Sequence, residues 1–222
     1  MVKIRLAKRS DLEVIRRLDR DIFSHLQTKL RGHPVQLPLR EREYFDHWFS
    51  TDRAGVIVAE ANGRVVGFNF CHARGKKGWI GPLAVRPSYQ GVGLGKKLMA
   101  RGLDSLRRRG CDCVGLDTYP GNPISVSLYL KLGFEITGAA LRLHVKLPAR
   151  LRAPRRQLSQ VRPMELQDLE QVAAVEEECS GFDRRADFRF LLQWEMGGGF
   201  LVGREPNVGY ALYCVKRGAG YV

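Results

Sequence analysis

The stretch RPSYQGVGLGKKLM, Arg86 to Met99, limits most strongly what this chain can fold into. It places glycines at 91, 93 and 95 between a run with strand character and a run with helix character. Glycine admits positive φ and lets other groups approach bare backbone. A helix N-terminus adds unpaired N–H groups and the positive end of a dipole. Together they form a seat for an anion, most often phosphate. Spacing excludes two familiar codes. The P-loop needs four residues between its glycines and then Gly-Lys-Ser/Thr, but here Gly95-Lys96 is followed by Lys97. The dinucleotide fingerprint is G-x-G-x-x-G with an acid further on. Asp112 and Asp117 do lie downstream, yet the glycines run G-x-G-x-G. On its own the cluster also fits a plain tight turn from strand to helix.

The surrounding pattern is α/β. VKIRLA predicts a strand, and Ser10-Asp11 caps a helix through LEVIRRLDRDIF. The Pro-containing segment 24–50 predicts loop and then a short helix. GVIVAEANGRVVGFNFCHA is a hairpin turning at Asn62-Gly63, the strongest short-range hairpin signal. GWIGPLAV leads as a strand into the glycine loop. The helix after it carries Met99, Leu103 and Leu106 on one stripe and stops at Gly110. CDCVGLDTY predicts a further strand. NPISVSLYLKLG predicts a helix with Asn122 as N-cap, Pro123 in the first turn and Gly133 as the stop. Asn122, Ser125 and Tyr129 then share one face, with Ile124 and Leu128 turned to the core. FEITGAALRLHVKL predicts two closing strands.

Charge and cysteines narrow the setting. Residues 1–146 hold 26 Lys and Arg against 13 Asp and Glu, residues 147–158 hold 4 against none, and residues 159–222 hold 7 against 10. So basic a region attracts polyanions, from phosphorylated cofactors to nucleic acid, although no zinc-finger or RNA-binding motif accompanies it. The five cysteines form no CxxC; Cys111 and Cys113 are expected as buried thiols, and the expected compartment is a reducing cytoplasm. No run approaches the roughly 18 apolar residues of a membrane span.

The end of the sequence repeats its beginning. VRPMELQDLEQV, 161–172, aligns without a gap on IRLAKRSDLEVI, 4–15, and 200–222 aligns on 56–80 with two residues deleted at the turn. The expected organisation is a domain over 1–146, a linker over 147–158 and a partial second copy over 159–222. That copy reaches the counterpart of Ile80 and lacks counterparts of Gly93, Gly95 and Tyr129, so its expected role is structural or substrate-shaping.

LAVRPSYQGVGLGKKLM followed by NPISVSLYLKLGF resembles the two signature motifs of the GNAT family of N-acetyltransferases, Q/R-x-x-G-x-G/A and N-x-x-A/S-x-x-L-Y-x-K-x-G-F. The resemblance covers the first two thirds of the chain, and the repeat is similar to tandem members. It implies a mixed, mostly antiparallel splayed sheet flanked by helices (an α/β or α+β fold) and acetyl-CoA as cofactor. Backbone N–H groups of Gln90, Gly91, Val92, Gly93, Leu94, Gly95 and Lys96 would hold the coenzyme A pyrophosphate, with Lys96 adding charge. The pantetheine arm would pair with Leu83, Ala84 and Val85, where Pro82 interrupts the ladder. Asn122, Ser125 and Tyr129 would face the cofactor.

The implied reaction is direct acetyl transfer to an amine. A backbone N–H near Leu83–Val85 would stabilise the oxyanion, and Tyr129 would give a proton to the leaving thiolate. The strand before the loop lacks the acid that many members use as base. Asp117 is the best candidate left, ahead of His72 and Glu60, with a water chain as alternative. His25, His33 and His47 are expected at the surface. The acceptor, a small molecule or a protein, would lie against residues 24–50. Two other readings stay open, a non-catalytic acyl-CoA-binding module and a nucleic-acid-associated basic protein, as does a homodimer; no membrane partner is expected.

Overall fold

The computed structural model describes residues 1–139, 161–204, 207–216 and 219–221. The strand expected at the end of the first domain beyond Ala139, and the 147–158 linker, lie outside them. The chain forms two compact units, Met1–Glu135 and Ile136–Val222. No described helix is long and apolar enough to cross a membrane.

Unit 1 is a five-stranded sheet in the order β1-β2-β3-β4-β5. β1 (Val2–Leu6), β2 (Val56–Ala61), β3 (Arg64–Arg74) and β4 (Lys77–Val85) are antiparallel neighbours, and β5 (Cys113–Gly115) runs parallel to β4. The β2–β3 turn carries Asn62 at φ 50 and Gly63 at φ 73. Two successive positive φ values match the right-handed twist of a hairpin, which is why Asn-Gly marks it.

Each face of this sheet has its own core. On one face α1 (Leu12–Arg31) and α2 (Arg42–Thr51) bury Leu12, Ile15, Leu18, Phe45 and Phe49 against Val58, Phe68 and Phe70. On the other, α3 (Leu94–Arg108) buries Leu94, Leu98, Met99 and Leu106 against Ile57, Ala59 and Ile80, and α4 (Pro123–Lys131) adds Leu128 and Tyr129. α3 is fastened at both ends of its contact with β3. Asn69 donates to the Leu98 carbonyl at 3.2 Å. Near the C-terminus, Arg109 donates to the Asp52 carboxylate and to the Cys71 carbonyl, and Asp52 also accepts the Ala73 N–H at 2.7 Å.

Several expectations are corrected. α1 runs to Arg31, where Gly32 at φ 71 ends it, so half the expected loop is helix. Asp11 does not cap α1 with its side chain; its carboxylate accepts the Lys8 N–H at 2.7 Å and pairs with Arg5. β5 is only three residues long, and Cys113 on it is exposed, not buried. Phe134–Ala139 forms no strand. Ile124 on α4 is 76% exposed instead of facing the core.

Unit 2 orders β6 (Val161–Pro163), β7 (Gly197–Arg204), β8 (Asn207–Lys216) and β9 (Ala219–Tyr221) as one antiparallel sheet. α5 (Leu169–Ser180) and α6 (Arg185–Gln193) bury Leu169, Val172 and Phe188 against Leu201. The first turn repeats that of unit 1 atom for atom. Arg162 pairs with Asp168, whose carboxylate accepts the Glu165 N–H at 2.8 Å. Strand register shifts the sequence alignment by one. Arg5 stands opposite Val58, and Arg162 opposite Leu201, so Leu201 and not Val202 answers to Val58. Burial agrees, since Leu201 is 3% exposed and Val202 41%.

Candidate functional site

The site begins where β4 and β5 part. Their parallel pairing ends at Trp79 opposite Gly115. A Cβ on Gly115 would stand 2.8 Å from the Trp79 ring, so only glycine lets the strands stay this close beside that side chain. Among the described residues, Ile80–Val85 beyond this point has a strand partner on the β3 side alone. One extra β4 residue is taken up between Cys71 opposite Ile80 and Asn69 opposite Leu83, a bulge around Gly81-Pro82. Bulges bend a strand and re-aim its backbone, and recur beside active sites. Pro82 contributes no N–H, and the peptide bond before it is cis. Leu83, Ala84 and Val85 thus present one backbone edge outside the ladder.

The chain then turns sharply into α3. Gln90 donates from its side-chain amide to the Val85 carbonyl at 2.7 Å, pinning the loop to the strand end. Gly91 and Gly93 both lie at φ 79, the left-handed region that disfavours other residues. No heavy atom lies within 4 Å of a Cβ built on either. Gly93 is the N-cap of α3 and no side chain caps that end, so the first-turn N–H groups of Leu94, Gly95 and Lys96 point outward. Val92 and Lys96 are exposed, and Leu94 is buried beneath them. An open, uncapped, glycine-lined helix mouth fits a phosphate-bearing ligand on its own geometry.

α4 supplies the polar face. The Asn122 side-chain oxygen Oδ1 accepts the Ser125 N–H at 3.4 Å as N-cap, and its Nδ2 donates to Ser125 Oγ at 2.8 Å. Ser125 in turn hydrogen-bonds the Tyr129 hydroxyl, and the Tyr129 ring meets Phe134 edge-on at 6.0 Å. Burial raises the Tyr129 phenol above its usual range, and the Ser125 bond opposes that in part. Burial therefore favours the neutral, protonated form of this phenol.

The remaining candidates separate. Asp117 is exposed and lies two residues past the end of β5. Glu60 is held by Arg5 at 2.6 Å and serves the β1–β2 junction. His72 is buried, stacked on Phe70 and beside Trp48. His25 and His33 are exposed, while His47 is half-buried. Of the aromatics in 24–50, Phe45 and Phe49 belong to the core. Asn69 was missed in the sequence: it sits opposite Leu83 and fixes α3 to β3 beside the bulge. A polar residue between two phenylalanines in an otherwise apolar strand was the available signal.

The model of the acetyltransferase (GNAT) family matches residues 16–134. A mycothiol acetyltransferase of Streptomyces avermitilis is 39% identical over 108 residues, 46% of this chain and 34% of that protein. One from Thermobispora bispora is 40% identical over 113 residues, 46% of this chain and 38% of the relative. The chain therefore spans about a third of the length of these curated relatives. Among solved structures, a putative acetyltransferase from Pyrococcus horikoshii matches 97% of this chain and 72% of its own, with a TM-score of 0.66 at 19% identity. At that identity the likeness is one of fold.

Proposed function

The chain belongs to the acetyltransferase (GNAT) family, and from that membership we propose that unit 1 is the catalytic unit of an N-acetyltransferase that moves an acetyl group from acetyl-CoA to an amine-bearing small molecule. The observation that carries the reading is the strip formed by the edge of Leu83–Val85, unpaired among the described residues, and the uncapped mouth of α3. It offers backbone donors to an extended arm and to a pyrophosphate in the order that acetyl-CoA presents them. The names of the relatives support a small-molecule acceptor.

Acetyl-CoA supplies the activated acetyl group. Gly91, Gly93 and Gly95 admit the pyrophosphate to the N–H groups of residues 90–96, with Lys96 adding charge. Backbone N–H groups of Leu83–Val85 not engaged by β3 stabilise the charge that collects on the acyl oxygen. A neutral amine forms the new C–N bond as the C–S bond breaks. Tyr129 gives its proton to the departing sulfur, and the proton released by nitrogen leaves through Asp117 or water. Unit 2 takes a structural or substrate-shaping part.

The test is calorimetric titration of acetyl-CoA into wild type, Gly95→Glu and Tyr129→Phe, with folding followed by circular dichroism. Gly95 is helical, and a Cβ there meets only Leu128 at 3.6 Å, so the glutamate adds charge without backbone strain. Binding to wild type, lost in Gly95→Glu and kept in Tyr129→Phe with turnover down about 100-fold, is the expected result. A folded wild type that binds no acetyl-CoA overturns the reading.

A further inference from the structure

The two units carry an acid at the same place on their first helix and finish it differently. In unit 1, Asp19 of α1 has a side chain 3% exposed, and Arg40 donates to its Oδ2 at 3.0 Å. In unit 2 the equivalent residue is Glu176 of α5, with Arg184 at 3.7 Å. Each arginine precedes the second helix of its unit and lies over a phenylalanine ring, Arg40 over Phe23 and Arg184 over Phe188. Glu176 is then completed by two hydroxyls: Ser180 donates to Oε1 at 2.9 Å and Tyr210 donates to Oε2.

Asp19 receives neither bond. Among the described residues no donor reaches its buried Oδ1. The same alignment that pairs Asp19 with Glu176 pairs Phe23 with Ser180. Strand register runs Arg5–Val58–Phe68 across β1, β2 and β3, and Arg162–Leu201–Tyr210 across β6, β7 and β8. Phe68 therefore stands where Tyr210 stands. Both hydroxyls that satisfy the acid in unit 2 are replaced by phenylalanine in unit 1. A buried acceptor left without a donor is costly, and burial holds the Asp19 carboxyl above the usual carboxylate range against the pull of Arg40.

We propose that Asp19 is a positioning residue for the acceptor, its Oδ1 taking an N–H from a protonated nitrogen of that molecule. This rests on the acetyltransferase reading of unit 1. The nitrogen that attacks must be neutral, so the nitrogen held by Asp19 is a second one, and the acceptor class is a di- or polyamine. α1 lies against β3 and β4 on the sheet face opposite α3, so the acceptor approaches from the other side of the sheet than the helix mouth. Arg40, with a side chain 44% exposed on the irregular segment 32–41, is the group that swings aside to admit it.

The experiment follows melting and CoA release for the full chain with acetyl-CoA and 1,4-diaminobutane, spermidine or 2-deoxystreptamine, with n-butylamine as the single-nitrogen control. Wild type, Asp19→Asn and Phe68→Tyr are compared, and Phe68→Tyr restores the hydroxyl seen in unit 2. The expected result is that at least one diamine raises the wild-type melting temperature and is a better substrate than n-butylamine. Both variants then raise its KM about tenfold or more, with kcat and acetyl-CoA affinity little changed. A purely structural Asp19 would shift melting and leave KM alone. Should Phe68→Tyr fail to fold, Asp19→Asn carries the test. Unchanged KM in the variants, diamines no better than n-butylamine, or no diamine that stabilises wild type each overturns the proposal. Failure of acetyl-CoA to bind wild type is the separate result that sinks the acetyltransferase reading.

Discussion

Helices cover both faces of the unit 1 sheet, whereas the described helices of unit 2 cover one face of theirs. Ile57 and Ala59 lie fully buried under α3, but their equivalents Phe200 and Val202 are 44% and 41% exposed. The covered faces correspond closely: Leu12, Ile15, Phe45 and Val58 in one unit answer to Leu169, Val172, Phe188 and Leu201 in the other. What the units share is a strand, a clip, two helices and a hairpin. Among the described residues only unit 1 has α3, α4 and the parted strands, and every element of the candidate site lies there. The comparison teaches that the shared half builds a platform, and that the candidate site comes with the second covered face.

The largest effect that would sharpen this is core truncation. Phe45→Ala and Phe188→Ala each remove a fully buried ring and cost about 3–5 kcal/mol. Urea melts should find both penalties. Acetyl-CoA affinity should fall in Phe45→Ala and stay within about twofold in Phe188→Ala. Equal loss in both would break the assignment of the site to unit 1.

The two arginine clips come next. Arg5 has a side chain 19% exposed and bridges Asp11 and Glu60; Arg162 is 53% exposed and among the described residues pairs with Asp168. Arg5→Leu is therefore expected to destabilise more than Arg162→Leu. For Asp11, burial raises the carboxyl but Arg5 and the Lys8 N–H outweigh it, and for Asp168 the bond from Arg162 dominates, so both lie below the usual carboxylate value. A depressed pKa contributes stability that is present above the unfolded value of 3.8 and lost as pH falls through the folded one. Removing either arginine should flatten the acid limb below about pH 4. A steeper limb would contradict the pairing.

The smallest effect separates fold from function at one atom. Gly95→Ala adds a methyl to a helical position with room for it, so α3 should gain about 0.5–1 kcal/mol. The same methyl stands where a phosphate approaches the backbone, so acetyl-CoA affinity should drop while the melting temperature rises. A rise in both would move the phosphate seat elsewhere.

Much of this was legible in the residues because local chemistry dictated it. Asn62-Gly63, the Gly91–Gly95 run and the Asn122–Pro123 start each demand a backbone geometry that few residues satisfy, and each holds its expected place. The misses have two sources. The stop of α1 at Gly32, after Lys29 and Arg31 and before Pro34, was present in the sequence but not used. Elsewhere tertiary context decided, and β5 pairs with β4 only as far as Trp79 opposite Gly115. Asp11 had the look of a cap until Arg5, six residues earlier, took its carboxylate. The Asp19 contrast was beyond sequence reach, since it depends on which β3 and β8 residues share a register.

The parted strands have a thermodynamic consequence. On the proposed reading, hydrogen bonds that would otherwise finish the sheet beside Ile80–Val85 are made by the cofactor, so ligand and fold draw on the same donors. The local opening free energy of this end of unit 1 then depends on acetyl-CoA concentration, rising by about 2.7 kcal/mol when free ligand is a hundredfold above its dissociation constant. Amide exchange along β4 becomes a gauge of cofactor supply, slow when acetyl-CoA is plentiful and fast when it is scarce.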